Sequence, residues 1–455
     1  MNNGLFDEFN DVSAKQWKQK IQFDLKGADY NETLIWNTNE AISVKPFYNS
    51  EDLKNLPEVS NTQATEWQIC QPIFVANIEK SNKKALKAIE LGTESIKFII
   101  PNDTVSIEDL LKDIQNTPIF LELQFLSEKY IEKIKTISTE TPIHIQIDTI
   151  GNLAKSGNWF NNLNDDVSKF KSIIKHTESC YIDASLYQNA GATMVQQLAY
   201  ALAHANEYLN VLDSEISFET KASLKVTFNV SVGSNYFFEI AKLRALRLLW
   251  KTLASEYKVN TECYIIATPS KRNKTVFNSS TNLLRNTTEC MSAILGGANT
   301  ICNLSHNAIF KKTNSISERI ARNQLQILKQ ESYLNKVNNP ADGTYYIESL
   351  TQQLAEKALI LFKDVENNGG FLRQLKEGTI QRKIKENASK EQQQFDAGEL
   401  ILVGLNKDAT PIESIKNELE LYPFVKINQR KTLIEPIIEK RLAETFEQIK
   451  LKEED

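Results

Sequence analysis

Eight short apolar runs of strand type alternate with helix-type segments between Ile73 and Ser332, and this alternation constrains the fold more than any other feature. The runs cover residues 73–76, 96–101, 118–125, 143–150, 181–187, 224–232, 263–268 and 300–304. Runs such as 97–100 indicate strands buried on both faces, as a parallel sheet covered by helices requires. Eight such units in about 260 residues match the size of one (β/α)₈ barrel.

The segments between the runs carry apolar residues three and four positions apart, as Val195, Leu198 and Leu202 do, which places them on one face of a helix. A helix predicted over 318–332 is followed by a break at Asn339-Pro340, where a closed sheet has no further strand to add. We therefore predict an α/β fold with a (β/α)₈ TIM barrel over residues 71–335. A doubly wound open sheet is the alternative.

The two flanks of the barrel differ in character. Residues 1–70 predict an N-terminal arm, with a helix over 13–25 that stops at Gly27 and extended pieces at 34–36 and 42–47. Residues 336–455 predict a helical C-terminal extension, with helices over 347–365, 371–377, 382–395 and 433–449. The chain is thus expected to consist of an arm, a barrel and an extension.

Charge and composition exclude several classes of protein. The formal net charge is only −5, and the basic residues are interspersed among acidic ones, so no nucleic acid partner is predicted. Residues 1–20 lack an apolar signal-peptide core, and the richest apolar segment, 236–250, is interrupted by four charged residues. We expect a cytoplasmic protein without a membrane span. The five scattered cysteines favour reduced thiols over disulfides or a zinc site.

In a TIM barrel, reactive groups come from the carboxyl ends of the strands and the loops after them. We call this end of the barrel the mouth. The polar residues expected there are Asn77, Asn102, Asp103, Gln124, Asp148, Asp183, Ser185, Tyr187, Asn229, Ser231, Thr268, Ser270, Asn303, Ser305 and His306. Asp148 and Asp183 could serve as acid and base on neighbouring strands, but hydrogen bonding to loops or amides is the favoured role.

Three further candidates for chemistry are weak. His306 has no second metal ligand at a recognisable spacing, and no histidine has another His or Cys within three residues, so no metal site is predicted. Lys225 invites a Schiff-base hypothesis but stands near a strand start, where barrel residues serve stability. Gly296-Gly297 and Gly369-Gly370 follow helices and are interpreted as helix stops, not phosphate loops.

Several longer segments resemble the methylmalonyl-CoA mutase family. The segment 181–208 resembles the fifth strand and helix of that family's barrel, and Asn235-Tyr236-Phe237-Phe238-Glu239-Ile240-Ala241-Lys242-Leu243-Arg244-Ala245 is similar to its N-F-F-x-E-I-A-K-x-R-A motif. Segments 282–289, 295–298, 319–323 and 339–348 resemble its seventh helix and the exit from the barrel. The N-terminal segments 25–27 and 46–48, together with 148–157, resemble the small chain of the family more than the large one.

The resemblance implies a non-catalytic role. Catalytic chains of the family carry Tyr and His where this sequence has Ser185 and Leu186, and a leucine cannot donate a hydrogen bond or carry a proton. The family's cobalamin ligand lies in D-x-H-x-x-G, yet residues Pro142, Ile174, Leu202 and Leu304 stand two positions before the four histidines. Residues 441–447 resemble the segment before the family's cofactor domain, so no cobalamin-binding domain is expected here.

The implied assembly is a heterodimer with a large catalytic mutase subunit. That partner would hold adenosylcobalamin and the acyl-CoA substrate, and this chain would bind no cofactor and supply no catalytic residue. Two alternatives stay open. One is an autonomous barrel lyase or aldolase that uses Asp148 or Asp183, and the other is a stand-alone chaperone or regulatory binder of the mutase.

Overall fold

The computed structural model describes residues 12–53, 64–137, 141–408, 415–426 and 429–453, together with Glu8 and Asn10. The strands are β1 (Trp36–Asn37), β2 (Ser43–Val44), β3 (Gln68–Phe74), β4 (Ser95–Ile100), β5 (Ile119–Leu123), β6 (Ile143–Gln146), β7 (Ser179–Asp183), β8 (Lys225–Val232), β9 (Cys263–Pro269) and β10 (Thr300–Cys302). The α-helices are α1 (Ala14–Asp24), α2 (Tyr30–Leu34), α3 (Ile78–Glu90), α4 (Ile107–Leu110), α5 (Glu128–Thr136), α6 (Thr149–Ser156), α7 (Leu163–Thr177), α8 (Ser185–Ala190), α9 (Met194–Leu212), α10 (Phe218–Ser223), α11 (Tyr236–Tyr257), α12 (Thr281–Leu295), α13 (Ser315–Gln330), α14 (Tyr345–Asn367), α15 (Phe371–Lys376), α16 (Thr379–Asp396) and α17 (Glu444–Glu453).

The large sheet contains eight parallel strands in the order β6-β5-β4-β3-β10-β9-β8-β7. The strand of this sheet that comes first in the chain, β3, pairs with the one that comes last, β10, and Ile69 stands opposite Ile301. Every other neighbour in the order is also a neighbour in sequence, which makes the order cyclic with one opening. This arrangement confirms the predicted (β/α)₈ barrel and is not that of a doubly wound open sheet.

The one opening in the cycle lies between β6 and β7. A side chain spans this seam, since Asp148 Oδ2 accepts a hydrogen bond from the Asp183 backbone N–H at 2.7 Å. The same carboxylate caps α6, because Asp148 Oδ1 accepts from the Gly151 N–H at 2.7 Å. One residue therefore closes the barrel and starts the next helix.

The core between the sheet and its helices is apolar and tightly enclosed. In β4, Ile96, Phe98 and Ile100 are fully buried and join a cluster with side chains of α3, α4 and α5. Each such side chain stabilises the fold by about 1.5–3 kcal/mol relative to an exposed one. On the other side of the barrel, α14 packs against α9 and α11, so the C-terminal extension shares the core of the barrel.

Three predicted strands differ from the observed bounds by four or five residues at one end. Residues 143–150 and 181–187 were expected to be continuous strands, but β6 ends at Gln146 and β7 at Asp183. Asp148 caps α6, and Asp183 Oδ1 accepts hydrogen bonds from Ser185 N and Oγ at 3.2 and 2.5 Å. These side-chain acceptors redirect the backbone into helices despite the apolar residues that follow. The strand predicted at 73–76 begins five residues earlier, because polar Gln68 and Gln71 interrupt its apolar pattern.

The described part of the N-terminal arm packs on the barrel through short contacts. Helix α1 begins at a Ser13 capping box, as predicted, but Leu34 was expected to be extended and instead ends helix α2. Strands β1 and β2 pair antiparallel. The turn between them meets the start of α9, where Glu40 Oε2 accepts from the Val195 N–H at 3.0 Å.

The C-terminal extension contains the predicted helices as α14, α15 and α16, but the helix predicted over 433–449 is wrong in its first half. Residues 433–443 are not helical, and α17 begins only at Glu444. Pro436 lacks an N–H and disfavours helix in the residue before it. The N–H of Ile437 instead donates to Ala154 O at 2.8 Å.

Within the described residues, no helix is both long and apolar enough to cross a membrane.

Candidate functional site

The carboxyl end of the barrel is the face where a barrel of this type carries its chemistry. The side chain of Asp148 is only 6% exposed there. Its Oδ1 accepts from His204 Nε2 at 3.0 Å and from Tyr208 OH at 2.5 Å, in addition to the Gly151 N–H, and its Oδ2 accepts from Asp183 N. Both oxygens are thus occupied by the protein itself.

The charge state of Asp148 follows from these contacts. Burial alone would raise the pKa of Asp148, but His204 and the hydrogen bond from Tyr208 hold it below its usual value. The imidazole of His204 is fully buried, and its Nδ1 lies 3.0 Å from Tyr187 OH. The chain Tyr187–His204–Asp148 is therefore a satisfied internal network with no polar atom left to act on a substrate.

Asp183 lies across the seam from Asp148 and is also engaged. Its Oδ1 accepts from both donors of Ser185 and from Asn229 Nδ2 at 2.8 Å. Leu186, the next residue, is only 3% exposed and belongs to the main apolar core. At the two positions singled out by sequence, the structure thus has one hydroxyl bonded to an aspartate and one aliphatic side chain packed in the core.

Other predicted mouth residues bond to nearby loops. Asn77 caps α3 through the Lys80 N–H at 2.9 Å, and Ser270 Oγ donates to Asn189 Oδ1 at 3.0 Å. Asn303 Nδ2 donates to Ala321 O at 2.9 Å. The exposed residues of the predicted set are Asn77, Asn102, Asp103 and Gln124. These residues stand around the rim and do not converge on one point.

His306 and Lys225 lie in different places. His306 follows β10, where burial and then Lys311 lower the pKa of its imidazole. Lys225 begins β8 at the opposite, amino-terminal end of the barrel, in a pocket of about 270 Å³ that also contains His144 and Tyr264. In the part of the chain that the structure describes, no three His, Cys, Asp or Glu side chains form a group that could hold a metal ion.

An ion pair inside the barrel was missed from sequence. Lys97 Nζ of β4 lies 2.6 Å from Glu122 Oε2 of β5 and 3.5 Å from Tyr181 OH. Burial alone would lower the pKa of Lys97, but Tyr181 and Glu122 raise it well above its usual value. A charged residue inside each of two otherwise apolar strand runs was the signal that could have revealed this pair.

A second group of charges at the mouth comes from distant parts of the chain. Lys271 Nζ lies 3.9 Å from Glu439 Oε2, and Glu439 Oε1 accepts from Asn189 Nδ2 at 2.9 Å. Burial alone would lower the pKa of Lys155, but Glu439 and Asp183 raise it. The two lysines of this group face two carboxylates, so the group carries no excess charge of its own.

Aromatic side chains fill the barrel axis. Phe120 is 2% exposed and stacks on His144 at a ring-centroid distance of 5.1 Å. The ring centroid of Tyr264 lies 6.0 Å from that of Phe120. Cys70, Ile266 and Cys302 complete this inner cluster, which is separate from the core under the helices. The described interior of the barrel is occupied by its own side chains.

Residues 433–443, which we call the strap, cross the carboxyl end of the barrel. Their backbone N–H groups donate to the carbonyl oxygens of Ala154 in α6, Asn189 in α8 and Arg272 in the loop after β9, with distances of 2.8–3.1 Å. A pocket of about 240 Å³ is left between the strap and the mouth, and its lining includes Glu439 and Arg441. The segment that sequence had assigned to a helix therefore covers part of the face where chemistry would occur.

Comparison with known proteins agrees with this geometry. The profile of the methylmalonyl-CoA mutase family matches residues 140–449. The methylmalonyl-CoA mutase small subunit of Porphyromonas gingivalis is 32% identical, over 99% of this chain and 78% of that protein. The small subunit of Propionibacterium freudenreichii subsp. shermanii is 27% identical over 81% of this chain, and the methylmalonyl-CoA mutase of Cereibacter sphaeroides is 28% identical over 86%.

The aligned region spans 64% of the length of each of the latter two proteins. The family profile covers more than half of the chain and includes the seam, the network of Asp148 and the strap. This chain therefore belongs to the methylmalonyl-CoA mutase family.

Proposed function

We propose that this chain is the small, non-catalytic subunit of a heterodimeric, adenosylcobalamin-dependent methylmalonyl-CoA mutase, which interconverts methylmalonyl-CoA and succinyl-CoA in propionate metabolism. The large partner subunit carries the active site. The observation that carries the proposal is Leu186, an aliphatic side chain packed in the core at the position where catalytic chains of the family place a histidine. Such a side chain cannot move a proton or polarise a thioester.

The barrel interior supports the same role. A CoA thioester that entered along the axis would meet Phe120, Tyr181 and the Lys97–Glu122 ion pair, all on the inward face of their strands. Displacing a buried, paired charge costs several kcal/mol, which makes the axis a poor route for a substrate. Acyl-CoA binding is accordingly assigned to the partner.

The histidines of this chain do not fit an axial cobalamin ligand. Both ring nitrogens of His204 are engaged, by Asp148 and Tyr187, and the ring of His144 stacks on Phe120 inside the barrel. No histidine in the sequence follows an aspartate at the family's spacing. We therefore assign adenosylcobalamin to the partner chain and no cofactor to this one.

Exposed aromatic residues on the arm support a protein interface there. Helix α1 has no buried residue, and Trp17, Phe23 and Trp36 are 54%, 78% and 52% exposed. Obligate subunit contacts commonly bury more than about 2,000 Å² and are rich in such side chains. We propose that the arm, residues 1–70, packs against the large subunit in the cytoplasm, while residues 71–335 form the barrel and 336–455 the extension.

Co-expression of this chain with the large mutase subunit of its own organism tests the proposal. We expect a 1:1 complex by light scattering and adenosylcobalamin-dependent isomerisation of methylmalonyl-CoA by the complex, with none by the isolated chain. The double variant Trp17→Ser/Phe23→Ser should weaken assembly, whereas Leu284→Ser, which changes an equally exposed residue on α12, serves as the matched control.

Turnover of a substrate by the isolated chain without cobalamin would contradict the proposal. If that turnover were lost in Asp148→Asn or Asp183→Asn, the autonomous lyase or aldolase would be the better account. A weak or regulated association in place of a stable 1:1 complex would favour the chaperone or regulatory role.

A further inference from the structure

A groove on the outer surface of the barrel lies between helices α3 and α13 and has a volume of about 380 Å³. We call it the α3–α13 groove. Its lining includes four cationic and two apolar side chains: Lys84, Lys87, Arg319, Arg322, Leu91 and Ile316. Ile316 is 62% exposed, so the groove opens directly to solvent. The carboxylate that lines it is Glu318, which forms an ion pair with Lys84.

Arg322 is the unusual residue in this groove. It is 7% exposed, its Nε is buried without a hydrogen-bond partner, and its guanidinium makes no ion-pair contact within the described residues, although the charge of Glu318, four residues earlier on α13, acts on it. Leaving part of a buried charged group without a hydrogen-bond partner is unfavourable. The fold therefore carries an unfavourable group at this place.

The other buried arginines of the described chain show the contrast. Each has strong acceptors: Arg244 bonds Glu348 at 2.6 Å, Arg247 bonds Cys263 O at 2.8 Å, Arg272 bonds Glu391 at 2.7 Å, and Arg441 bonds Glu447 at 2.7 Å. The Nε atoms of Arg244 and Arg247 are also buried without a partner, but Arg322 differs from both because its terminal nitrogens have no acceptor among the described residues either. An unpaired guanidinium beside an open groove is the arrangement of a site that waits for an external anion.

The other cations of the groove also lie close to further cations. Arg319 and Arg322 stand three residues apart on α13, and Lys84 and Lys87 stand three apart on α3, so each pair shares one helix face. Like charges at this spacing destabilise a helix. With Glu318 counted, the side chains of the lining carry a net charge of about +3. One further carboxylate would not neutralise this charge.

We propose that the α3–α13 groove binds the phosphoryl group of a small molecule, with Arg322 as its central contact and Arg319 and Lys87 beside it. A phosphate carries up to two negative charges and accepts paired hydrogen bonds from a guanidinium. Leu91 and Ile316 offer apolar contact to the group that carries the phosphate. The site lies outside the barrel axis and mouth, so its failure would leave the proposed subunit role untouched.

Inorganic phosphate, titrated into the full-length chain at constant ionic strength, is the first probe. We expect phosphate to raise the unfolding temperature in a saturable manner, while chloride and acetate at the same ionic strength do not. Arg322→Gln should weaken phosphate binding by calorimetry about tenfold or more, because it removes a charged hydrogen bond. Lys87→Gln should weaken it less, and Arg373→Gln, at an exposed arginine on α15, should change nothing.

Phenyl phosphate identifies the source of the phosphoryl group. Tighter binding than inorganic phosphate supports a phosphate ester, and equal binding supports free phosphate. Equal stabilisation by acetate would overturn the proposal in favour of a carboxylate from a partner protein. An unchanged phosphate response in Arg322→Gln, or in Arg319→Gln/Lys87→Gln if the first variant fails to fold, would also overturn it.

Discussion

The interior of the barrel and the α3–α13 groove both hold buried cations, but these cations differ in their contacts. Lys97 sits inside the barrel against Glu122 at 2.6 Å, whereas the guanidinium of Arg322 has no hydrogen bond or ion-pair contact among the described residues. A chain that neutralises its charges at the usual active face has little left there for a substrate. The comparison supports the proposals of a binding site on the outer surface and of a structural role for the barrel interior.

The largest effect is expected from breaking the ion pair inside the barrel. Lys97→Met leaves Glu122 without its cation and should lower the free energy of unfolding by about 3–5 kcal/mol. The double variant Lys97→Met/Glu122→Leu should recover most of that loss, since apolar replacement of a whole buried pair is often neutral. Urea unfolding of Lys97→Met, of Glu122→Leu and of the double variant measures the coupling energy between the two residues. Additive losses would show that the pair is not coupled.

A smaller loss is expected at the seam. Asp148→Asn keeps the shape of the side chain but removes the charge that accepts from His204 and Tyr208, and should cost about 2–3 kcal/mol in urea unfolding. Asp165→Asn, at an exposed aspartate of α7, is the control and should change stability much less. Equal effects at the two positions would remove the basis for a seam held by Asp148.

The loss of folding stability at acid pH should also depend on Asp148. Because the pKa of Asp148 is depressed in the folded state, its contribution is present above its ordinary value of 3.8 and is lost as pH falls below that value. Thermal unfolding between pH 3 and 6 should therefore show a weaker pH dependence for Asp148→Asn than for the wild type. Parallel curves would contradict this account.

A contact between the arm and the barrel should titrate in the opposite sense. Burial raises the pKa of Glu40 to about 7, with Glu391 adding to the shift. A raised carboxyl pKa means that stability is present below about 4.5 and is lost as pH rises through about 7. Glu40→Gln should flatten the stability profile between these values, and hydrogen exchange of the Val195 amide should follow the same titration.

The smallest effect is expected in the α3–α13 groove. Arg322→Met removes a charge that has no partner, so in phosphate-free buffer the free energy of unfolding should change by less than about 1 kcal/mol or increase. Urea unfolding beside Lys97→Met gives the direct comparison. A loss as large as that of Lys97→Met would reveal an intramolecular partner for Arg322.

Much of the fold could be predicted because periodicity records burial. The apolar runs located the eight barrel strands, and the helices α14 to α16 were predicted within a few residues. The errors occurred where one side chain redirects the backbone. Asp148 and Asp183 end strands that apolar patterning would continue, and Pro436 prevents a helix that the pattern of residues 433–449 suggests.

Less of the site could be predicted, since its contacts join distant residues. Asp148 and Asp183 were placed correctly at the mouth, but nothing in their local sequence shows that His204 and Tyr208 enclose one of them. The bond between Asn189 and Glu439 joins residues 250 positions apart. Which buried charge lacks a partner, as Arg322 does, is visible only once every neighbour is in place.

Calorimetric titration of methylmalonyl-CoA into the isolated chain, and then into its complex with the large subunit, tests the central claim most directly. The account predicts no binding by the isolated chain and one thioester per heterodimer. Stoichiometric binding by the isolated chain, or two thioesters per heterodimer, would show that this barrel admits the substrate and would contradict the assignment of a non-catalytic subunit.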